Sequence, residues 1–218
     1  MKIINMLERK LFRFNIPGFI RYLIFAMAGV LILDFISLRS GFSDLIRLDV
    51  ARVMRGEVWR LLTFLAVPPS MSLLWAVFGL YFYYMIGTTL ETRWGTRRFF
   101  IYYALGAVFS ILAAFLSRLF TVYAYGVNIY LNLSLFFAFA ALFPDMEFTL
   151  FFILPVKAKY LALVDLLFFL QAIISGDWSS RLTAVFILVN VYLFFGGDLT
   201  HMARLSIMQW KRRRDFRR

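Results

Sequence analysis

The sequence predicts an all-α membrane protein with six transmembrane helices, and two observations predict this fold class. Its 218 residues are 62% hydrophobic and 20% aromatic, and only 17% are charged. A soluble domain is about 45–50% apolar and about 25% charged, so this chain has more apolar side chains than a soluble core can bury. Six apolar stretches also approach or reach the roughly 20 residues that a spanning helix needs.

The six predicted spans occupy more than half of the chain. They are residues 19–38, 72–90, 99–120, 126–143, 160–175 and 181–199. The last three are short for a helix that crosses the bilayer, which predicts either local thinning of the membrane or extension by interfacial residues. The connectors are short except for residues 39–67, so we expect residues 18–199 to form one compact membrane domain.

The segment before the first span, residues 1–17, is basic and amphipathic. Its apolar residues alternate with Lys and Arg in a pattern that favours a helix lying in the membrane interface. No small-residue cleavage site follows the first span. We therefore expect this span to be retained and not removed as a signal peptide.

The long connector, residues 39–67, is too polar to cross the membrane. Its apolar residues predict a helix in the interface; they are Leu45, Ile46, Leu48, Val50 and Val53. Arg60, beside Trp59, is predicted to hold the connector in place by donating hydrogen bonds to backbone carbonyls.

The distribution of Lys and Arg predicts the orientation of the chain. Most of its 24 cationic residues lie on the side that carries both termini, which predicts a cytoplasmic N-terminus and C-terminus. The basic tail, residues 200–218, accounts for much of the net charge of +12 and is expected to rest on anionic lipids. The alternative interpretations of this tail are a lipid-specific site or a nucleic-acid site, and we expect no nucleic-acid partner.

Composition also excludes several kinds of site. The chain has no cysteine, which excludes disulfides and thiolate metal sites, and its one histidine, His201, excludes a histidine-rich metal site. His201 follows the sixth span and is expected to be an interfacial residue without chemistry. We expect no cofactor.

A set of residues around the second span has regular spacing. Trp59 and Arg60 precede a Pro-Pro turn, and three residues four apart follow, namely Gly87, Glu91 and Gly95. Gly87 would allow close helix approach, Glu91 would pair with Arg97 or Arg98, and Gly95 would end the helix. The alternative interpretation is an ordinary helix terminus with its cap.

In this order and spacing, the motifs resemble those of the rhomboid superfamily over residues 53–199. The matching segments are Trp59-Arg60, Gly87/Glu91/Gly95, Arg97-Arg98-Phe99-Phe100, Leu142-Phe143-Pro144-Asp145, the stretch from Leu154 to Lys159, and Gly196-Gly197. Each motif is weak alone. The resemblance implies a rhomboid-like bundle of six transmembrane helices.

Active rhomboids are intramembrane serine proteases, but the residues for that chemistry do not match here. The resemblance places Ile129 at the nucleophile position, Phe194 at the base position, and Trp75 and Gly79 at the oxyanion-stabilising positions. Ile129 supplies no hydroxyl, Phe194 supplies no base, and Gly79 has no side chain to stabilise an oxyanion. The chain is therefore similar to the non-proteolytic rhomboids, which include Derlins and inactive rhomboids. That resemblance implies a pseudoprotease that binds or retains transmembrane segments of client proteins.

Polar side chains inside the predicted spans are candidate functional residues, because they are costly in hydrocarbon. Asn128, Asn132, Ser134 and Asn190 are predicted to line the remnant of a protease cavity and to bind a polar group of a client. The alternative is that they form interhelical hydrogen bonds. Asp165 is expected to be a buried or protonated carboxyl that is hydrogen-bonded to a neighbouring helix, and the alternative is a proton-relay or ion site.

Two other functions remain open at this point. One is a rhomboid-family protease with an unrecognised catalytic set, and the other is a small membrane transporter. A transporter favours paired intramembrane charges or two matching halves, and the sequence shows no internal repeat. The compact chain favours a bacterial plasma membrane as its location.

Overall fold

The computed structural model describes residues 16–37, 41–69, 72–150 and 154–215, and only the backbone of residues 149–150, 154–155 and 197–215. Five of the described helices are long and apolar enough to cross a membrane, so the chain is a predominantly helical, multi-pass membrane protein. The predicted interfacial helix, except residues 16 and 17, lies outside the described residues, as do residues 216–218.

Nine helices and two strands follow one another in the described ranges. They are α1 (Phe19–Ile36), α2 (Phe42–Ile46), α3 (Val50–Met54), α4 (Arg60–Thr63), α5 (Leu73–Trp94), α6 (Thr96–Ser117), α7 (Ile129–Leu142), β1 (Glu147–Leu150), β2 (Leu154–Lys157), α8 (Ala158–Ser175) and α9 (Trp178–Asp215). The helices long enough to span are α1, α5, α6, α8 and the Trp178–Gly196 part of α9. Five of the six predicted spans thus correspond to such helices, with ends that differ by a few residues, and α9 continues without a break into the basic tail.

The fourth predicted span, residues 126–143, is shorter than expected. Its helix, α7, has 14 residues, or about 21 Å at 1.5 Å per residue. The residues before it pair with the long connector, because the Gly126 N–H donates to the Leu48 carbonyl at 2.8 Å. A β-carbon on Gly126 would lie 2.2 Å from Leu48. This close contact keeps residue 126 out of the helix, a constraint that hydropathy does not show.

The connector contains three short helices, α2 to α4, and a 3₁₀ turn at Phe64–Ala66, where the sequence predicted one helix. Arg60 holds them together. Its Nη1 donates to the carbonyls of Asp44 and Arg47 at 2.9 and 2.8 Å, and its Nε pairs with Glu57 at 2.6 Å. The predicted hydrogen bonds of Arg60 are thereby confirmed. They satisfy a guanidinium that is 1% exposed and would otherwise be costly to bury.

A short antiparallel hairpin precedes α8, which the sequence did not predict. Strand β1 pairs with β2 in a register that sets Glu147 opposite Lys157 and Phe148 opposite Val156. Phe148 is buried, with its ring centroid 5.8 Å from that of Phe82 and 5.2 Å from that of Phe139. The hairpin is hard to detect because it lies in one continuous apolar run, in which periodicity does not separate a strand from a helix.

Successive long helices run in opposite directions between two ends of the bundle. The loop end holds residues 41–69, 118–128 and 176–177, and the hairpin end holds residues 94–96 and 143–157. Helix α6 packs extensively on α9, while α1 packs on α5. Helix α7 lies between α5 on one side and α8 on the other. The bundle therefore presents α8 at its periphery.

Candidate functional site

The Gly87/Glu91/Gly95 motif joins the start of α1 to α5. A β-carbon on Gly87 would lie 2.4 Å from Ile20 of α1, so glycine permits the close approach that was predicted. Gly95 ends α5 with φ +83°, also as predicted.

Glu91 has a different role from the predicted ion pair with Arg97 or Arg98. Its Oε1 accepts a hydrogen bond from the Gly18 N–H at 2.7 Å. The first N–H groups of a helix have no partner within the helix and favour a negative charge, so a carboxylate is suited to the start of α1. The Arg98 guanidinium lies 6.0 Å from the Trp94 ring centroid. We read the motif as structural.

The other motif residues are more scattered. Trp59, beside the buried Arg60, is 53% exposed. Gly196 is buried in α9, and a β-carbon there would lie 3.0 Å from the Tyr192 ring of the same helix. Gly197 and His201 fall in the part of α9 that is described by its backbone alone.

The four positions matched to rhomboid chemistry do not form one cluster. Ile129 begins α7 and lines a cavity of about 240 Å³ that also includes Ser180, near the start of α9. Phe194 lies 14 residues after Ser180, roughly 21 Å farther along the helix axis. It is 3% exposed and meets the Tyr102 ring edge-on, with centroids 5.1 Å apart. Ile129 and Phe194 are therefore not brought together.

The two oxyanion-stabilising positions lie on α5 towards the loop end. Trp75 is 56% exposed. Gly79 faces the Pro-Pro turn of the connector, where a β-carbon would lie 2.9 Å from Pro69.

Three of the four predicted cavity residues belong to a buried hydrogen-bond network between α6, α7 and α9. The Tyr102 hydroxyl donates to Ser134 Oγ at 2.8 Å, and the Tyr103 hydroxyl donates to Asn132 Oδ1 at 2.9 Å. Asn190 Nδ2 donates to the Tyr102 carbonyl at 3.1 Å. These contacts match the alternative interpretation, in which the polar residues join helices.

Asn128 is separate from that network. Its Nδ2 donates to the Val67 carbonyl at 2.9 Å and so ties the start of α7 to the connector. Sequence spacing placed Asn128 and Asn132 on one face of a helix, but the two side chains bond to different elements.

Two amide atoms of the network remain buried without a partner among the described residues. They are Asn132 Nδ2 and Asn190 Oδ1. Buried polar atoms without a hydrogen bond are rare in proteins, and an internal water is a common partner for them. The predicted client-binding cavity at these residues remains a prediction.

Asp165 is the one buried carboxyl near the middle of the described spanning helices. It is 7% exposed, near the centre of α8, and its Oδ2 has no hydrogen-bond partner in the described part of the chain. The hydrogen bond to a neighbouring helix that the sequence predicted is therefore absent at this atom. Around it, Phe169 packs on Phe137 of α7 at 5.4 Å, and Tyr83 of α5 lies within electrostatic range.

A second polar network, at the loop end, was missed by the sequence reasoning. Asp177 caps α9 by accepting a hydrogen bond from the Ser179 N–H at 3.1 Å, and it accepts another from the Tyr125 hydroxyl at 2.9 Å. Ser179 Oγ lies 3.0 Å from Ser117 Oγ and accepts a hydrogen bond from the Tyr125 N–H. The Asp before an apolar helix was the available signal, because Asp is a preferred N-cap residue.

The electrostatics of this network follow from its hydrogen bonds. Partial burial raises the pKa of the Asp177 carboxyl, but hydrogen bonds from Ser180, Tyr125 and two backbone N–H groups outweigh burial and leave the pKa below its ordinary value. Burial, together with Asp177, raises the pKa of the Tyr125 hydroxyl. The recorded bonds of the Ser179 hydroxyl join it to Ser117 and Tyr125 and not to a base, so the network acts as a brace.

Comparison with known proteins gives no family for this chain, since no protein-family model, curated protein or solved structure matches it. The resemblance to the rhomboid superfamily therefore rests on the order and spacing of the motifs in the sequence. Within the described residues, no three His, Cys, Asp or Glu side chains are grouped so as to hold a metal ion.

Proposed function

We propose that this chain is a rhomboid-like, non-proteolytic membrane protein, a Derlin-like pseudoprotease, that binds or retains transmembrane segments of client proteins. The observation that carries the proposal is a seam between α5 and α8. These two helices lie on either side of α7 and have almost no direct contact with each other. A client helix would approach the bundle from the lipid at this seam.

The packing of α8 supports lateral access. Only 22% of the 18 residues of α8 are buried, compared with 50% in the most apolar 18-residue segments of α6 and of α9. Among the side chains the structure describes, none on α8 is recorded in a hydrogen bond to another long helix. The network of Tyr102, Tyr103 and Asn190, by contrast, joins α6 to α7 and α9. Arg181 of α9 donates to the Ile174 carbonyl near the end of α8 at 2.9 Å. The rest of α8 is held to the long helices by apolar contacts, which can be exchanged for contacts with another apolar helix.

The non-proteolytic part of the proposal rests on the residues that occupy the positions matched to rhomboid chemistry. The matched nucleophile and base positions hold Ile129 and Phe194, and the matched oxyanion positions hold Trp75 and Gly79. Hydrolysis by a Ser–His mechanism requires a hydroxyl activated by a base and donors for the oxyanion. Ile129 supplies no hydroxyl, Phe194 supplies no base, and Gly79 has no side chain to donate to an oxyanion.

The proposal includes a setting for the protein. We place it in a bacterial plasma membrane with both termini in the cytoplasm, because most Lys and Arg residues lie on that side. The tail, residues 200–218, would then rest on anionic lipids of the inner leaflet.

One flank of α8 can be assigned to the seam from its geometry. Phe168, Gln171 and Ser175 line a cavity whose other walls are residues of α7 and Ser180 of α9, so this flank faces the side on which α7 meets α9. At 3.6 residues per turn, Leu166 lies on the opposite flank of Asp165. Leu166 is 37% exposed. It is the position on α8 from which a client in the seam would be in reach.

Site-specific photo-crosslinking tests the proposal. A photoreactive amino acid at Leu166, in the full chain expressed in its native membrane, should crosslink to other membrane proteins through their transmembrane segments. The matched control is the same substitution at Leu112 of α6, which is 49% exposed and outside the seam. The proposal predicts protein adducts at Leu166 and mainly lipid adducts at Leu112. Equal protein adducts at both positions, or none at either, would contradict it.

A further inference from the structure

Asp165 is a carboxyl that the bundle leaves without a counter-charge. It lies near the middle of α8, is 7% exposed, and has one oxygen with no hydrogen-bond partner in the described ranges. An ionisable group in the membrane interior is costly and is usually paired. Ser134 and Asn132 of the core each bond to a neighbouring helix, although Asn132 Nδ2 also lacks a partner in the described ranges.

The location of Asp165 matches the proposed client seam. Among the described helices, α7 lies between α8 and α5, and its Phe136 packs against Tyr83 of α5 with ring centroids 6.4 Å apart. Tyr83 in turn is within electrostatic range of Asp165. A helix that entered between α5 and α8 would therefore bring its middle residues close to the carboxyl.

The missing cation does not come from the described spans of this chain or of a second copy. Their Lys and Arg residues all fall in the first or last helical turn or beyond it; they are Arg21, Arg93, Arg97, Arg98, Lys159 and Arg181. In a second copy of the chain packed parallel or antiparallel to the first, none of these cations would lie at the depth of Asp165. A cation at this depth would therefore have to come from a different transmembrane helix.

We propose that Asp165 selects client transmembrane segments that carry a Lys or Arg near their middle. This inference rests on the proposed function, because it names the client chemistry of the same seam. A central cation makes a helix poorly stable in lipid. Pairing with Asp165 neutralises both groups at once, since a cation and a carboxylate that are each costly alone attract strongly where the dielectric constant is low.

The test uses the full chain in nanodiscs with a photoreactive residue at Leu166. It is incubated with transmembrane peptides of roughly 20 residues, identical except for one central Lys, Leu or Glu. The crosslinking yield should be roughly tenfold higher for the Lys peptide than for the Leu peptide, and lowest for the Glu peptide. Equal yields for the Lys and Leu peptides would overturn the inference and leave the proposed function intact.

Variants separate charge from folding. Asp165→Asn should lower the Lys-peptide yield to that of the Leu peptide, and Asp165→Glu should retain the preference for Lys. The matched control is Asp145→Asn, which removes an exposed carboxylate paired with Lys159 at 3.0 Å outside the span and should retain the preference. An unchanged preference in a folded Asp165→Asn variant would also overturn the inference.

Two further outcomes of the peptide experiment would contradict the inference. Absence of crosslinks to any of the three peptides would contradict the inference and the proposed function together. Adducts formed only with a second copy of the chain would contradict selection of a basic client.

Discussion

Polar residues inside this bundle fall into two groups. Ser134, Asn132 and Asn190 bond to residues of α6 and fix the relation of three helices. Asp165 has no such bond at its buried oxygen. A group that joins helices contributes to the fold in every state of the protein. Asn132 and Asn190 each keep one amide atom without a partner but also bond to α6, whereas no hydrogen bond of Asp165 is recorded among the described residues. This difference identifies Asp165 as the residue to test first.

Asp177 supports a prediction about pH and stability. Its hydrogen bonds from Ser180 and Tyr125 lower the pKa of the carboxyl in the folded chain. A group whose pKa is lower in the folded state stabilises that state above its unfolded pKa, near 3.9, and this contribution is lost as pH falls through the folded value. We expect the temperature midpoint of unfolding in detergent to decrease when the pH is lowered below about 4. Asp177→Asn should reduce this acid dependence and lower the thermal stability at pH 7.

Tyr125→Phe is the companion variant for this prediction. It removes one hydrogen bond to Asp177 but leaves the N-cap to Ser179 in place. The stability of Tyr125→Phe at pH 7 should lie between that of the wild-type chain and that of Asp177→Asn. The idea fails if Asp177→Asn has the same acid dependence as the wild-type chain.

Residue roles that depend on local geometry were predictable from the sequence. Gly95 at the end of α5 and the backbone hydrogen bonds of Arg60 belong to this class. The partner of Glu91 was not predictable, because Gly18 is 73 residues away in the sequence. The lack of a partner at Asp165 was also beyond sequence reasoning, since it depends on which helices surround α8.

At the scale of elements, the contact between α1 and α5 gives a stability prediction. Gly87→Val places side-chain atoms where Ile20 already lies, since even a β-carbon would be 2.4 Å from it. Overpacking of this kind costs about 1–3 kcal/mol. The thermal midpoint in detergent should fall.

Gly29→Val is the matched control. Gly29 is in α1, and a β-carbon there meets nothing within 4 Å, so this variant should change stability little. Ile20→Ala should partly restore the stability of Gly87→Val because it removes the clashing atoms. An equal loss in both valine variants would show that β-branching, and not the helix contact, is responsible.

Hydropathy predicted the long helices well but failed where tertiary contacts define an element. Helix α7 begins at Ile129 because Gly126 pairs with Leu48, and the hairpin forms because Phe148 packs between Phe82 and Phe139. Both contacts join segments far apart in the sequence. A window of apolar residues contains no information about them.

The whole molecule combines a tightly joined part with one loosely held helix. Helices α6, α7 and α9 share a buried hydrogen-bond network, and the brace at Asp177 closes their loop end. Helix α8 packs on α7 and α9 with no buried hydrogen-bond network of this kind, since its recorded hydrogen bond from a long helix is the one that Arg181 donates to the Ile174 carbonyl at its end. It leaves a seam towards α5. This arrangement suits a protein that holds another helix while its own core stays unchanged.

The most direct test is to reconstitute the full chain in liposomes with a transmembrane substrate of rhomboid proteases and a fluorophosphonate probe. An active rhomboid protease serves as the positive control. We expect the substrate to be isolated intact with the chain and no serine to be labelled. Appearance of a cut product, or labelling of a serine in the chain, would contradict the proposed pseudoprotease.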